Sequence, residues 1–107
     1  MKLKPILTQL TSGSFVYENK SGKTIKILKL DMINTNGTPN VLIKINGSYM
    51  TLDSLTQSNP TPFPLAVSFS YNASNDCQAL DLLDGGNLEI IYTSGTGQIN
   101  LFILMSD

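Results

Sequence analysis

Apolar and polar residues alternate along most of this chain, in short runs separated by clusters of glycine, asparagine, serine and proline. The alternation has a period of two, which places every second side chain on the same face of a β-strand. No window of helical length has a sustained apolar period of 3.6 residues, so we expect very little helix. The pattern predicts eight strands, at residues 3–10, 14–18, 23–34, 40–46, 48–52, 65–71, 88–93 and 98–105.

The strand at residues 23–34 breaks its own alternation. Ile25 and Ile27 have one parity, and the apolar residues that follow have the other: Leu28, Leu30 and Met32. A β-bulge near Ile27 and Leu28 reconciles the two halves, because one extra residue there turns all five apolar side chains towards the core. The sequence therefore predicts a long, bent strand.

The strand at residues 98–105 is apolar on both faces. Phe102 and Leu104 lie on one face, and the other face carries Ile99, Leu101, Ile103 and Met105. Such a strand is either central in a sheet or in contact with another subunit. We favour a central strand, with the subunit contact as the alternative.

Turn residues separate the predicted strands. Asn36-Gly37 and Asn46-Gly47 supply residues that tolerate the positive φ of a tight hairpin. Residues 54–64 contain three prolines, which lack backbone donors, so we expect a surface arm or a crossover anchored by Phe63. A second loop, at residues 72–86, is expected to hold one short helical turn around residues 78–83.

Eight short strands in 107 residues are typical of a sandwich or a jelly roll. A chain of this length is near the commonest size of a single domain. The predicted fold is therefore all-β: one antiparallel β-sandwich, resembling a jelly roll, over residues 1–107.

Composition argues against an enzyme. The chain has no histidine, tryptophan or arginine, and its single cysteine, Cys77, allows no intrachain disulfide and has no histidine to activate it. We find no cofactor motif and no apolar stretch of membrane-spanning length. The expectation is a soluble, non-enzymatic protein made in a cytoplasm, without a cofactor and without a membrane partner.

Acidic residues cluster late in the chain. Such a cluster could form a metal site or a pair of catalytic carboxylates. Asp76, Asp81 and Asp84 share one loop and Glu89 follows, and calcium prefers such carboxylate oxygens. The spacing fits no known calcium loop, and a glycosidase pair would lack an aromatic platform. We favour a solvated loop over a metal site.

Charge is unevenly distributed along the chain. Residues 1–52 carry all seven lysines and two acids, whereas residues 53–107 carry six acids and no base. The split allows assembly between basic and acidic faces, but strands of both halves are expected to interleave in a sandwich, which removes the asymmetry in space. Nucleic acid is not an expected partner, because phosphate contacts are usually rich in arginine.

The order of elements resembles small β-sandwich virion proteins of tailed bacteriophages. The likeness covers residues 14–105, with FVYENKSGKTIKILKLDMIN, then VLIKING, then a GGN segment before LEIIYTSGTGQINLFIL. The use of lysine without arginine, with much asparagine and isoleucine, is also typical of the AT-rich genomes that many phages have. No catalytic residues exist in the pattern to be carried over.

The resemblance implies a structural role in the virion, as a capsid decoration, head-accessory or tail-type protein that contacts capsid, neck or tail proteins. We expect a homo-oligomer, with a trimer slightly preferred, and a subunit contact at Phe63, Phe102 or Leu104. The alternative is a glycan- or receptor-binding module of a tail fibre or adhesin. In that alternative the stacking residues are Tyr49, Phe63 and Tyr71.

Overall fold

Two antiparallel sheets face each other across one core. The computed structural model describes residues 2–50, 63–64, 69–73 and 80–106, and within them no helix could cross a membrane. The described strands are β1 (Leu3–Leu10), β2 (Ser14–Glu18), β3 (Ile25–Asn34), β4 (Asn40–Ile45), β5 (Ser48–Met50), β6 (Phe63–Pro64), β7 (Phe69–Asn72), β8 (Leu80–Leu82), β9 (Asn87–Ser94) and β10 (Ile99–Ser106).

The strand order is that of a jelly roll. The front sheet runs β1-β10-β3, and β7 and β8 both pair with the far edge of β3. The back sheet runs β2-β9-β4, and β5 and β6 both pair with the far edge of β4. Each sheet thus has four strand positions, and the chain repeatedly crosses between the sheets. The predicted all-β sandwich is confirmed.

The core is filled by the inward residues of both sheets. Along β10 every second side chain is at most 1% exposed, and β4 and β9 alternate in the same way. Each fully buried aliphatic side chain contributes roughly 1.5–3 kcal/mol. The buried apolar cluster consists of Leu10, Ile25, Ile27, Leu30, Met32, Val41, Ile43, Leu80, Leu82, Leu88, Ile90, Ile99, Leu101, Ile103 and Met105.

The predicted bulge lies in β3. Met105 pairs with Ile27 while its neighbour Leu104 pairs with Lys29, so Leu28 is the extra residue. The apolar residues on either side of it are buried, whereas Leu28 itself is only half-buried. The prediction that all five apolar side chains turn inward is therefore correct for four of them. β10, which pairs with β1 on one side and β3 on the other, is central, as favoured from the sequence.

One of the two predicted hairpins is wrong. Asn46 and Gly47 both have positive φ, 53° and 83°, and join β4 to β5 in a two-residue hairpin. Asn36-Gly37, in contrast, carries the chain from the front sheet to the back sheet. Asn34 stabilises the turn of this crossing, because its side chain donates to the Gly37 carbonyl at 2.9 Å and accepts from the Asn36 amide at 3.1 Å.

One loop prediction also needs correction. The expected helical turn around residues 78–83 contains strand β8 instead, because Leu80 and Leu82 are buried against the core while Asp81 between them is exposed. Of the expected surface arm or crossover at residues 54–64, the structure describes Phe63 and Pro64, which form β6 and pair with the edge of β4, where proline is tolerated. Residues 51–62, 65–68 and 74–79, including Asp76 and Cys77, lie outside the described residues.

Candidate interaction surface

The outer face of the front sheet carries a continuous apolar strip. The inward residues of β1 and β10 face the core, so the alternate residues face away from it. Across the pair, Leu7 lies opposite Phe102 and Pro5 lies opposite Leu104. Leu7 is 77% exposed and Leu3 is 53% exposed, while Phe102 and Leu104 are half-buried. We call these five residues the outer strip.

Polar side chains border the outer strip along β3. Lys29 lies with its Nζ 5.7 Å from the centre of the Phe102 ring and 3.5 Å from Asp31 Oδ2. Ser70 of β7 donates to Asp31 Oδ1 at 2.6 Å, which fixes that carboxylate. An apolar centre with a fixed polar border is the usual arrangement of a protein–protein contact surface.

The opposite border of the outer strip is the edge of the sheet. Among the described strands β1 pairs only with β10, so its other side presents backbone groups without a strand partner. Pro5 has no N–H, and Lys4 places a charge on the same strand. Both are devices that discourage indiscriminate strand pairing. The outer strip is therefore suited to contact through side chains of the sheet face.

The structure separates Phe63 from the other two predicted interface residues. Phe102 and Leu104 lie together in the outer strip, on β10 of the front sheet. The backbone of Phe63 lies on β6, opposite Val41, at the edge of the back sheet. Any contact that uses all three must therefore span both sheets.

The three residues of the glycan-binding alternative do not form one platform either. Tyr49 lies on β5 with Lys44 Nζ 4.9 Å from the centre of its ring. Tyr71 lies on β7 opposite the buried Leu30, and it packs against the core cluster. Tyr49 thus belongs to the back sheet and Tyr71 to the interior side of the front sheet.

Burial raises the pKa of the Tyr71 phenol above its usual value of 10.0. The folded state therefore holds this proton more tightly, and the free energy of unfolding falls as the pH rises above about 10, where the unfolded chain ionises first. Tyr71 Oη is buried without a hydrogen-bond partner among the described residues. Tyr71→Phe should change the free energy of unfolding by less than about 0.5 kcal/mol at pH 7. Above about pH 10, the free energy of unfolding of the variant should fall less steeply than that of the natural chain.

Urea unfolding at a series of pH values measures both effects. Tyr92→Phe is the control, because its hydroxyl donates to the Gly97 carbonyl at 2.9 Å and its loss should cost about 1 kcal/mol at pH 7. Equal costs for the two changes at pH 7, or an unchanged alkaline profile for Tyr71→Phe, would contradict this account of Tyr71.

The acidic residues of the candidate metal cluster have separate partners. Asp81 pairs with Lys26 at 3.2 Å, Asp84 Oδ1 accepts from the Gly22 amide at 3.1 Å, and Glu89 lies opposite Lys44 in the back sheet. Within the ranges that the structure describes, no three acidic or thiol side chains are placed to hold a metal ion. Acids of the second half meet lysines of the first half, so the two halves interleave as favoured from the sequence.

Sequence reasoning missed the most exposed residue of the outer strip. Leu7 belongs to a strand whose apolar residues occupy both parities, with Leu3 and Leu7 on one and Ile6 and Leu10 on the other. The same two-sided signal drew attention to Phe102 in β10. Applied to β1, it would have identified Leu7 as well, since β1 and β10 are neighbours in the sheet.

Comparison with known proteins gives a structural match alone. No model of a known protein family matches the chain, and no curated protein matches it. Among solved structures, it is similar to the major capsid protein P2 from bacteriophage PM2, with a TM-score of 0.48 and 14% identity. The match covers 97% of this chain and 43% of that protein, so the chain spans less than half of its neighbour's length.

Proposed function

We propose that this chain is a non-enzymatic structural protein of a phage particle, acting as a capsid decoration or head-accessory subunit through protein–protein contacts. The observation that carries the proposal is the outer strip, with Leu7 at 77% exposure beside Phe102 and Leu104. Exposed apolar patches with polar borders mark contact surfaces. The jelly-roll order, which viral capsid domains and lectins use, and the sequence resemblance to phage virion proteins support the same role.

The outer strip suits a subunit that stays bound to its partner through a large contact area. Its residues project from paired strands, so little conformational entropy is lost when a partner covers them. A stable contact buries about 1,200–2,000 Å² in total, which exceeds one strip and requires neighbouring polar groups to take part. Lys29 and Asp31, held beside the strip, supply fixed charges that align the partner.

The assembly that we propose is a homo-oligomer, with a trimer preferred, bound to other proteins of the capsid, neck or tail. Phe102 and Leu104 lie at the subunit contact, and the chain near Phe63 provides a second contact from the edge of the back sheet. Closed symmetry covers these surfaces without growth into filaments. The protein is made in the host cytoplasm and resides in the virion.

Mass spectrometry of purified particles tests the proposed function. The chain should be present in a fixed stoichiometry to the major particle proteins, as expected of a structural subunit. Its absence from purified particles, or a trace amount that varies between preparations, would rule out the structural role.

Leu7→Ser should dissociate the proposed oligomer without unfolding the subunit. Leu7 is exposed on an edge strand, so the free energy of unfolding of the subunit should change by less than about 0.5 kcal/mol. Light scattering at micromolar concentration should show an oligomer for the natural chain and a monomer for the variant.

Val16→Ser is the matched control for that measurement, because Val16 is 52% exposed on β2 of the back sheet. It should remain oligomeric. A strictly monomeric natural chain, together with a Phe102→Ser variant of unchanged stability, would show that the oligomer is wrong and that the outer face of β10 only contacts solvent.

The glycan-binding alternative has less support from the structure. Lys44 Nζ lies over one face of the Tyr49 ring, and Tyr71 packs against the core, so the two tyrosines do not form one open stacking platform. Binding on a glycan array that Tyr49→Ala abolishes would favour this alternative. No binding across a broad array, together with incorporation into particles, would favour the structural role.

A further inference from the structure

A cavity of about 440 Å³ opens between the two sheets, beside the edge strands β1 and β2. Its volume lies within the ~300–1,000 Å³ that is typical of ligand sites. Ile25 and Met105, both almost fully buried, form its apolar floor, and Tyr17 and the start of β1 form its walls. These walls belong to paired strands, so the cavity is built into the fold.

Two hydrogen-bond donors meet at this cavity. Lys4 lies opposite the inward-facing Met105, and its Nζ donates to Tyr17 Oη at 3.0 Å and lies 4.9 Å from the centre of the Tyr17 ring. An ammonium group has three donors, and this bond uses one of them. The bond occupies a lone pair of the phenol oxygen, so the hydroxyl hydrogen of Tyr17 remains able to donate to another acceptor.

Lys4 differs from three other surface lysines in the group that its ammonium contacts. Lys20, Lys26 and Lys29 each lie within 3.5 Å of a carboxylate. The contacts of Lys4 in the described part of the chain are instead with the neutral phenol of Tyr17. A positive charge held at the wall of an apolar cavity favours an anion.

We propose that this cavity binds a small monocarboxylate with an apolar tail. The carboxylate accepts hydrogen bonds from Lys4 Nζ and Tyr17 Oη, and the tail packs against Ile25 and Met105. Each additional methylene that enters the cavity should strengthen binding about fourfold. The cavity adjoins the outer strip, since Leu3 and Pro5 also line it, but the inference does not rest on the proposed function.

Titration with octanoate, followed by NMR of the methyl groups, tests the proposal. The methyl signals of Ile25 and Met105 should shift on binding, whereas those of Ile43 and Ile90, which belong to the back sheet, should not. Hexanoate should bind about sixteenfold more weakly, because its tail is two methylenes shorter. Octanamide has a similar tail without the charge, and it should also bind at least tenfold more weakly.

Lys4→Met removes the charge and keeps an apolar side chain, and it should weaken octanoate binding at least tenfold. Lys44→Met is the matched control, because Lys44 lies 4.9 Å from the ring of Tyr49 in the same type of pair on the other sheet. It should leave binding unchanged. Thermal unfolding of both variants verifies that each remains folded.

Three results would overturn the proposal. The first is the absence of shifts at Ile25 and Met105 up to millimolar octanoate. The second is equal binding of octanoate and octanamide, which would make the cavity a non-selective apolar site. The third is an equal loss of octanoate binding in Lys4→Met and Lys44→Met, which would place the anion outside the cavity.

Discussion

Gly97→Ala should destabilise the fold by about 3 kcal/mol. Gly97 has a φ of 111°, a conformation that residues with a side chain rarely adopt, and an added Cβ would collide with the backbone carbonyl of Asn36. This close approach joins the two crossings between the sheets, the one from β3 to β4 and the one from β9 to β10. A backbone atom on a hydrogen-bonded loop has little freedom to move away. The free-energy cost of the strained φ and the cost of the collision therefore add.

Gly13→Ala is the control for this change. Gly13 also has a positive φ, 74°, but an added Cβ there meets nothing within 4 Å. Gly13→Ala should lower the free energy of unfolding only by the cost of placing a side chain at a positive φ, about 1 kcal/mol. Urea unfolding of both variants measures the difference, and equal costs would show that the two crossings are not packed as described.

Asn19→Ala should cost a similar amount, about 3 kcal/mol, because one buried side chain joins two chain segments, the turn at residues 19–23 and strand β8. Asn19 is 0% exposed, and its Nδ2 donates to the carbonyls of Leu82 at 2.9 Å and Lys23 at 2.8 Å. Its Oδ1 accepts from the amide and the hydroxyl of Ser21. Alanine removes these bonds: the Lys23 carbonyl still accepts from Ser21 Oγ, whereas the Leu82 carbonyl loses the Asn19 donor in a buried position.

Asn72→Ala provides the comparison on the surface. Asn72 is exposed, and its side chain donates to Ser70 Oγ at 2.9 Å. Water replaces that bond, so the cost should stay below about 0.5 kcal/mol. Chemical denaturation of the two variants distinguishes the roles, and a small effect of Asn19→Ala would show that the contacts of its side chain are replaced by solvent.

Local patterns predicted the strands of this chain well. The strands Leu3–Leu10 and Ser14–Glu18 have the predicted bounds, since alternation within a strand and the turn residues beside it are both local. The bulge at Leu28 was predictable because a change of parity inside one strand requires an extra residue. Such features depend only on residues that are close in sequence.

Features that depend on distant segments were not predictable. Asn36-Gly37 has the chemistry of a hairpin, but the sheet that β4 joins is decided by its pairing with β9. β8 has only two apolar residues, Leu80 and Leu82, and becomes a strand because the bent β3 offers it an edge. The role of Asn19 required the position of Leu82, 63 residues away.

The interaction surface was partly predictable for the same reason. Phe102 and Leu104 were found from the two apolar faces of β10, whereas the outer strip also needs β1 as a neighbour of β10. The cavity between the sheets combines Lys4, Tyr17 and Met105 from three strands, and no local pattern indicates it. Surfaces formed by several strands become visible only when the strand order is known.

The copy number of this chain in purified phage particles is the most direct test of assembly through the outer strip. Particles should be produced with the natural chain, with Leu7→Ser and with the control Val16→Ser, and the chain should be quantified against the major particle proteins by mass spectrometry. Our account predicts a fixed copy number for the natural chain and for Val16→Ser, and loss of most copies for Leu7→Ser. Equal incorporation of all three chains, or absence of the natural chain, would contradict it.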